Sequence, residues 1–249
     1  MLLSFLFFLL LGLVVGSFLA AFSFRLPRGI SILKGRSFCP GCKKKIVWFD
    51  NVPLFSYIFL GGSCRNCKKR ISPRYFLIEL LTGAGFLSLF ILSPSLPTLF
   101  FNLVVFCLLV LVFVVDLEHQ IIPDSLVFFG IFFAFFFYLL TSDPLLFARV
   151  FSGLLAATLL MFIHLATKGR GMGLGDVKFA FFGGMISGLN LLPVWLFSSF
   201  LTGGLAGIIL ILTRRAGLKT KIAFGPFLVV GLAITFIWGE KLMLLLLSS

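Results

Sequence analysis

The sequence predicts an all-α polytopic membrane protein, and three observations support that prediction. The chain is 60% hydrophobic with a mean hydropathy of +1.19, and its 35 Phe residues exceed what a soluble core of 249 residues normally holds. A membrane-spanning helix needs about 20 apolar residues. About eight segments approach that length, namely 2–24, 77–93, 98–115, 125–142, 144–167, 177–190, 192–212 and 222–239.

The first of these segments is expected to be a retained span. Residues 2–24 carry no charged start, and no small-residue cleavage site precedes Arg25, so the features of a removable signal peptide are missing. The chain divides into three parts: the first helix over 1–24, a polar loop over 25–76, and a block of closely spaced spans over 77–249.

Basic residues are distributed very unevenly. Nineteen of the 21 Lys and Arg residues fall in loops 25–76, 168–178 and 213–221, on one side of the predicted spans, and only Arg149 and Lys241 fall on the other. The positive-inside rule therefore places these three loops in the cytoplasm and both termini outside. The formal net charge of +13 is therefore interpreted mainly as an indication of membrane topology. Membrane lipid, rather than nucleic acid, is the expected partner of the basic loops.

Four cysteines in the first loop have the spacing of a metal site. Cys39-Pro40-Gly41-Cys42 and Cys64-Arg65-Asn66-Cys67 are two C-x-x-C knuckles, and four thiolates can close a tetrahedral zinc site. The lysines after each knuckle are expected to lower the thiol pKa values. Disulfides are disfavoured in a reducing cytoplasm, and a redox pair would not need two knuckles. Zinc would stabilise a loop that lacks a large apolar core.

Two aspartates lie where apolar runs meet short polar loops. Asp116 ends the third predicted span and Asp176 precedes the sixth. An ionisable residue at such a depth indicates a functional site, because an unused carboxylate near hydrocarbon is costly. If the two helix ends pack together, the carboxyl groups can share one proton and divide general acid and general base chemistry between them. The predicted reaction is hydrolysis of a peptide bond at the membrane surface.

Glycines surround the second aspartate. Gly169, Gly171, Gly173 and Gly175 permit positive φ and close backbone approach, so a substrate segment can lie extended against this loop. The alternative interpretation is a flexible turn in which Asp176 caps the next helix. Asp124, after Pro123, is interpreted as the structural member of its motif and ranks below Asp116.

These motifs resemble those of the bacterial prepilin peptidases, the type IV prepilin leader peptidases of the Gly-x-Gly-Asp aspartyl protease family. The resemblance begins with Asp116-Leu117 through Ile122-Pro123-Asp124 and Gly173-Leu174-Gly175-Asp176-Val177-Lys178. Further landmarks agree in the same order along the chain: Gly16-Ser17-Phe18-Leu19, Arg25-Leu26-Pro27, Gly35-Arg36-Ser37, Trp48 through Leu54, Ser56-Tyr57, Ile71-Ser72, Arg74-Tyr75, Glu79 and Phe224-Gly225-Pro226-Phe227. Three positions depart from the family's usual residues, namely Ala20, Phe76 and Ala223.

The resemblance implies a multi-pass enzyme of the bacterial inner membrane that removes the basic leader from type IV prepilins or pseudopilins. It implies that Asp116 and Asp176 are the catalytic dyad. By the same resemblance, Gly173, Gly175, Lys178 and Asp124 support the substrate and the loops, and Cys39, Cys42, Cys64 and Cys67 bind zinc. Many members also methylate the new N-terminus with S-adenosylmethionine, for which Glu79 is the candidate residue and 25–76 the candidate region. No Gly-x-Gly-x-x-Gly cofactor loop is present in the sequence.

Two other classes of protein would also place carboxylates in a membrane. A transporter usually holds them near the bilayer midplane, at broken helices, whereas these two lie near one surface. A zinc-stabilised membrane scaffold without enzymatic activity would tolerate the loss of either aspartate.

Overall fold

The computed structural model describes residues 2–31, 37–214, 217, 220 and 222–248. Gly35 and Arg36 of one quoted landmark, and several basic residues counted for topology, lie outside the described residues. The helices are α1 (Leu2–Arg25), α2 (Phe55–Phe59), α3 (Pro73–Leu92), α4 (Leu96–His119), α5 (Asp124–Leu140), α6 (Leu146–Ala166), α7 (Leu174–Leu212) and α8 (Gly225–Ser248). Two short 3₁₀ turns, Leu26–Arg28 and Trp48–Asn51, lie between α1 and α2.

The all-α membrane fold is confirmed for the part of the chain that the structure describes. Six of these helices are long and apolar enough to cross a membrane, and α5 is a shorter apolar helix. The eight predicted spans correspond to these seven helices, because the sixth and seventh spans both lie in α7. Gly188 interrupts α7 with φ of 71° and ψ of 169°, which is not helical.

The chain reverses direction at Gly188. The ring of Trp195 lies against Gly183, so closely that a Cβ at Gly183 would overlap it. In one straight helix these residues would be about 18 Å apart along the axis. Arg149, paired with Asp143 at 3.0 Å, donates to the carbonyl oxygen of Ile186 at 3.5 Å just before the break. The two halves of α7 are therefore two antiparallel helices, as the sequence predicts.

The structure divides into two compact units, residues 1–111 and 112–249. In the first unit, α1 packs closely along α3 through small residues. A Cβ at Gly12 would come within 2.8 Å of the Cα atom of Gly83, and one at Gly16 within 2.8 Å of the Cα atom of Glu79. Small residues permit this approach, and van der Waals packing then holds membrane helices together. The predicted domain boundary at residue 76 stays a prediction.

In the second unit, α7 packs against α5, α6 and α8. A Cβ at Gly184 would lie 2.8 Å from the Cα atom of Gly153 on α6, so these helices approach through glycines. The indole Nε1 of buried Trp195 donates to the Leu228 carbonyl oxygen of α8 at 2.9 Å. These contacts hold α7, whose first turn carries Asp176, against α6 and α8.

Candidate active site and metal centre

Asp116 and Asp176 are buried at helix ends in the second unit. Asp116 lies in the last turn of α4 and is 4% exposed, and Asp176 lies in the first turn of α7 and is 8% exposed. The residues next to them in the chain, Val115 and Val177, are also buried. The sequence correctly predicted both positions at the ends of apolar helices, because the apolar run stops within one turn of each residue.

The carboxyl group of Asp116 is anchored by the start of α8. Its Oδ2 accepts a hydrogen bond of 2.9 Å from the backbone N–H of Gly225, the first residue of that helix. The N-terminal N–H groups of a helix have no partner within the helix and favour negative charge. The contact is so close that a Cβ at residue 225 would lie 2.6 Å from Oδ2.

Asp176 is anchored within its own helix start. Its Oδ2 accepts a hydrogen bond of 3.0 Å from the N–H of Gly173, the residue that precedes α7. This is the carboxylate half of a capping box, in which the third residue of a helix bonds back to the cap. The alternative interpretation of Asp176 as a capping residue therefore describes part of its geometry. The same bond also holds its carboxyl group in one orientation.

Ile122 connects the surroundings of the two aspartates. Its side chain lies beside both Gly225 and Gly175. A Cβ added at Gly225 would be 3.0 Å from the Cδ1 atom of Ile122, and one added at Gly175 would be 3.1 Å from the Cβ atom of Ile122. The two carboxyl groups are near enough to interact electrostatically. Among the described residues, the second oxygen of each carboxyl group accepts no hydrogen bond, so each aspartate is held by one oxygen and presents the other.

Asp124 and Lys178 form an ion pair within the second unit. Lys178 Nζ donates to both carboxylate oxygens of Asp124 at 2.8 Å. Because Asp124 begins α5 and Lys178 follows the start of α7, the pair ties two helix starts together. Both side chains are more than one-third exposed, which limits the stabilisation such a pair gives. The supporting role of these two residues stays a prediction.

The glycine loop is less unusual than the sequence indicated. Of its four glycines, only Gly169 has a positive φ, of 74°. Gly173 and Gly175 are instead required for close approach, to Asp176 Oδ2 at 3.2 Å and to Ile122 respectively. The structure thus uses positive φ at one of these glycines and close approach at two others, and the supporting role of Gly173 and Gly175 stays a prediction. The expectation that a substrate segment lies extended against this loop stays a prediction.

Gly225 is the residue whose contact sequence reasoning missed. In the sequence it is only one residue of a family landmark, whereas in the structure its bond to Asp116 joins positions 109 residues apart. A Gly-Pro pair at the start of an apolar run does indicate a helix N-terminus. It does not indicate which side chain the free N–H groups will meet.

The four cysteines of the first unit form one cluster. Their sulfur atoms all lie within 4.8 Å of one another, and Cys39 and Cys67 Sγ are 3.8 Å apart. Tetrahedral zinc with Zn–S bonds of about 2.3 Å requires sulfur atoms about 3.8 Å apart. The geometry and the thiol ligands therefore fit a metal ion of this kind.

Each knuckle repeats the same backbone turn. The N–H of Cys39 donates to the Lys44 carbonyl and that of Lys43 to Cys39, and Cys64, Lys68 and Lys69 form the equivalent pair of bonds. Lys43 and Lys68 both have φ of 57°. The N–H groups of Cys67 and Asn66 lower the pKa of Cys64 to about 6. Backbone N–H groups, rather than the lysine charges that we expected, thus favour this thiolate.

Glu79 lies away from the aspartates in the chain, within the first unit. It is buried on α3, and its Oε2 accepts a hydrogen bond of 2.8 Å from the backbone N–H of Leu54. Leu54 has φ of 61°, which is rare for a residue with a branched side chain. The carboxyl group of Glu79 therefore holds a loop in a strained conformation. Its assignment to a cofactor stays a prediction.

Comparisons with known proteins agree with the resemblance along the chain. A family described as the Bacterial Peptidase A24 N-terminal domain matches residues 10–93, and the Type IV leader peptidase family matches residues 103–208. The chain is 31% identical to a Prepilin leader peptidase/N-methyltransferase of Pseudomonas aeruginosa, over 94% of this chain and 90% of the relative.

Two further relatives carry the same name. The one from Bacillus subtilis is 30% identical over 93% of both chains. The one from Aeromonas salmonicida is 34% identical over 85% of this chain and 74% of the relative. No solved structure matches the chain.

Proposed function

The chain belongs to the prepilin leader peptidase family, and we propose that it is a membrane aspartyl endopeptidase that removes the leader from type IV prepilins or pseudopilins. The observation that carries the proposal is the pair of buried aspartates, Asp116 and Asp176, each fixed by one backbone hydrogen bond and each with a second oxygen available. A structural protein gains nothing from two buried carboxyl groups that interact unfavourably when both are charged.

The proposed chemistry divides one proton between the two aspartates. The proposal requires the two carboxyl groups to titrate as a pair, with one ionised and one protonated when the enzyme acts. The ionised group removes a proton from water, which attacks the scissile carbonyl carbon, and the protonated group donates to the carbonyl oxygen. The tetrahedral intermediate collapses when the leaving nitrogen receives a proton from the dyad. The peptide and one water molecule give a carboxylic acid and an amine, so the atoms of the reaction balance.

The substrate's own polarity supports the proposed position of cleavage. A prepilin with a basic leader and an apolar helix places the leader in the cytoplasm and the helix in the bilayer. Asp116 and Asp176 lie within one turn of helix ends, so the junction between leader and helix reaches them without charge entering hydrocarbon. We place the dyad at the cytoplasmic face of the bacterial inner membrane on the basis of the nineteen basic residues in the three loops.

The cysteine cluster is proposed to hold one structural zinc ion. Four thiolates complete a tetrahedron and leave no open position for a substrate, so the metal's contribution is to fold the loop. Cys39, Cys42, Cys64 and Cys67 would be its ligands. The backbone N–H groups that point at the sulfur of Cys64 orient this ligand for the metal.

Methylation of the new N-terminus is proposed as a second activity, because the relatives' names include N-methyltransferase. S-adenosylmethionine would supply the methyl group. The single residue assigned to it does not fit as a free ligand, since the Glu79 carboxyl group is buried and accepts the Leu54 N–H.

The decisive experiment is incubation of the purified full chain with a candidate prepilin, with and without S-adenosylmethionine, followed by measurement of product mass. Leader removal should stop in Asp116→Asn and in Asp176→Asn, because an amide cannot exchange the proton. Asp143→Asn is the matched control. It makes the same chemical change in the loop after α5, where Asp143 pairs with Arg149. Cleavage by either dyad variant at the control's rate would refute the proposal.

A further inference from the structure

The first loop contains an exposed apolar surface that the peptidase reaction does not use. The aromatic segment, residues 48–60, comprises the 3₁₀ turn Trp48–Asn51 and helix α2. Trp48 is 75% exposed and Phe59 84% exposed. Other exposed apolar side chains of the segment are Phe49, Val52, Phe55 and Ile58. A contiguous surface of this composition marks an interaction site rather than scattered apolar residues.

Contacts with α3 place this segment beside the start of a candidate membrane span. The backbone N–H of Leu54 bonds to Glu79 Oε2, and the Tyr57 ring packs on Phe76 with centroids 5.4 Å apart. Glu79 lies six residues beyond Pro73, where α3 begins, which is about 9 Å along the helix axis. Because α3 is a candidate membrane span, a segment bonded to its second turn lies beside the end of the span.

Several polar groups of the segment have partners in the first unit. Asp50 accepts a two-oxygen ion pair from Arg65 at 2.7 to 3.1 Å, and the Ser56 hydroxyl donates to the Phe49 carbonyl at 2.8 Å. The Arg65 guanidinium holds the pKa of the Asp50 carboxyl below its usual range. Backbone N–H groups of the segment bond to the carbonyl groups of Val52, Leu54 and other nearby residues. Internal satisfaction of backbone groups is the condition for entering a bilayer.

Basic side chains adjoin this apolar surface along the chain. Exposed lysines and arginines follow both knuckles, namely Lys43, Lys44, Lys45, Lys68, Lys69 and Arg70. Elements that lie in a membrane interface typically contain aromatic residues flanked by basic residues. The aromatic rings enter the headgroup region, and the cations contact anionic headgroups.

We propose that residues 48–60 are a membrane-inserted element, with Trp48, Phe55 and Phe59 in the lipid interface and the knuckle lysines against anionic headgroups. The element ties the cysteine cluster to the bilayer surface through the Leu54 to Glu79 bond. This inference does not rest on the peptidase reaction. The competing occupant of the same surface is the apolar helix of a prepilin.

The test uses the full chain in lipid nanodiscs and the fluorescence of Trp48. Emission of a Trp48→Phe variant is subtracted from that of the wild type, which removes the signals of Trp195 and Trp238. In lipids brominated along the acyl chain, the difference signal should fall by about half or more, because Trp at the interface lies within reach of the bromines. Quenching should increase when phosphatidylglycerol is included.

Two variants supply the control. Phe59→Glu should reduce the quenching of Trp48 because it places a charge in the interface, whereas Phe59→Leu should not. Each is measured against its own Trp48→Phe partner, and helical content by circular dichroism verifies folding. An unquenched difference signal without substrate would overturn the proposal. So would emission that shifts to the blue only when prepilin is added, which would assign the surface to the substrate. Quenching independent of phosphatidylglycerol would overturn the role of the basic residues.

Discussion

Replacing Gly225 by Ala should slow leader removal although both aspartates are retained. A Cβ at this position would lie 2.6 Å from Asp116 Oδ2 and 3.1 Å from its Cγ, whereas ordinary contact begins near 3.4 Å. The carboxyl group must therefore retreat by the difference, 3.4 − 2.6 = 0.8 Å, or α8 must move away. Either movement lengthens the 2.9 Å bond from the Gly225 N–H.

The magnitude follows from two effects. Displacement of a reacting group by about 1 Å can cost about 100-fold in rate, and a hydrogen bond to a charged group is worth about 1.5 to 3 kcal/mol. Part of each loss will be relieved by relaxation, so we expect kcat for leader removal to fall about 10- to 100-fold. KM should change little, because Gly225 positions Asp116 and is not proposed to touch the substrate.

The assay is the initial rate of prepilin cleavage by purified variants, followed by mass. Gly204→Ala is the matched control, because no atom lies within 4 Å of its added Cβ and Ala is favoured over Gly in a helix. Thermal unfolding of both variants shows whether the helices remain packed. Equal kcat values for Gly225→Ala and Gly204→Ala would refute the role of this bond in holding Asp116.

Three further results are expected. Elemental analysis should find one zinc per chain. Cys39→Ser should speed proteolysis of the first loop, because metal binding supplies the free energy that folds this loop. Active protein that contains no metal would contradict this prediction. Asp124→Asn should lower stability by only about 0 to 1 kcal/mol, measured by thermal unfolding, because its ion pair with Lys178 is exposed; a larger loss would show a more central role. Lengthening the polar stretch between a prepilin's cleavage site and its apolar helix should slow cutting sharply, and unchanged rates across an insertion series would contradict cleavage at a fixed depth.

The sequence predicts the helices and the cysteine cluster well, for physical reasons. A span needs a long apolar run, so each helix leaves a local signal, and two C-x-x-C knuckles carry their own turn geometry. The position of the break in α7 is predicted less exactly. The predicted spans meet near residue 191, whereas the chain reverses three residues earlier, at Gly188. Apolar residues continue through the reversal, so hydropathy alone does not locate it.

Long-range partners could not be predicted. The bond from Gly225 to Asp116 and that from Leu54 to Glu79 each join a backbone N–H to a distant carboxyl group. Backbone N–H groups are present at every residue except proline, so no residue type signals which of them a carboxylate will meet. Leu54 is a further example, because its φ of 61° is imposed by the surrounding structure and not by its side chain.

The anchoring of the aspartates supports the proposed position of the pair near a membrane surface. Each carboxyl group is held by a backbone N–H, from Gly225 at the start of α8 and from Gly173 beside the start of α7. Within a membrane helix, only the N–H groups of the first turn lack an internal partner. Carboxyl groups that depend on such donors must lie within about one turn of a helix end, or about 5 Å in depth. This anchoring agrees with the proposed cleavage at the boundary of the bilayer, where a polar leader joins an apolar helix.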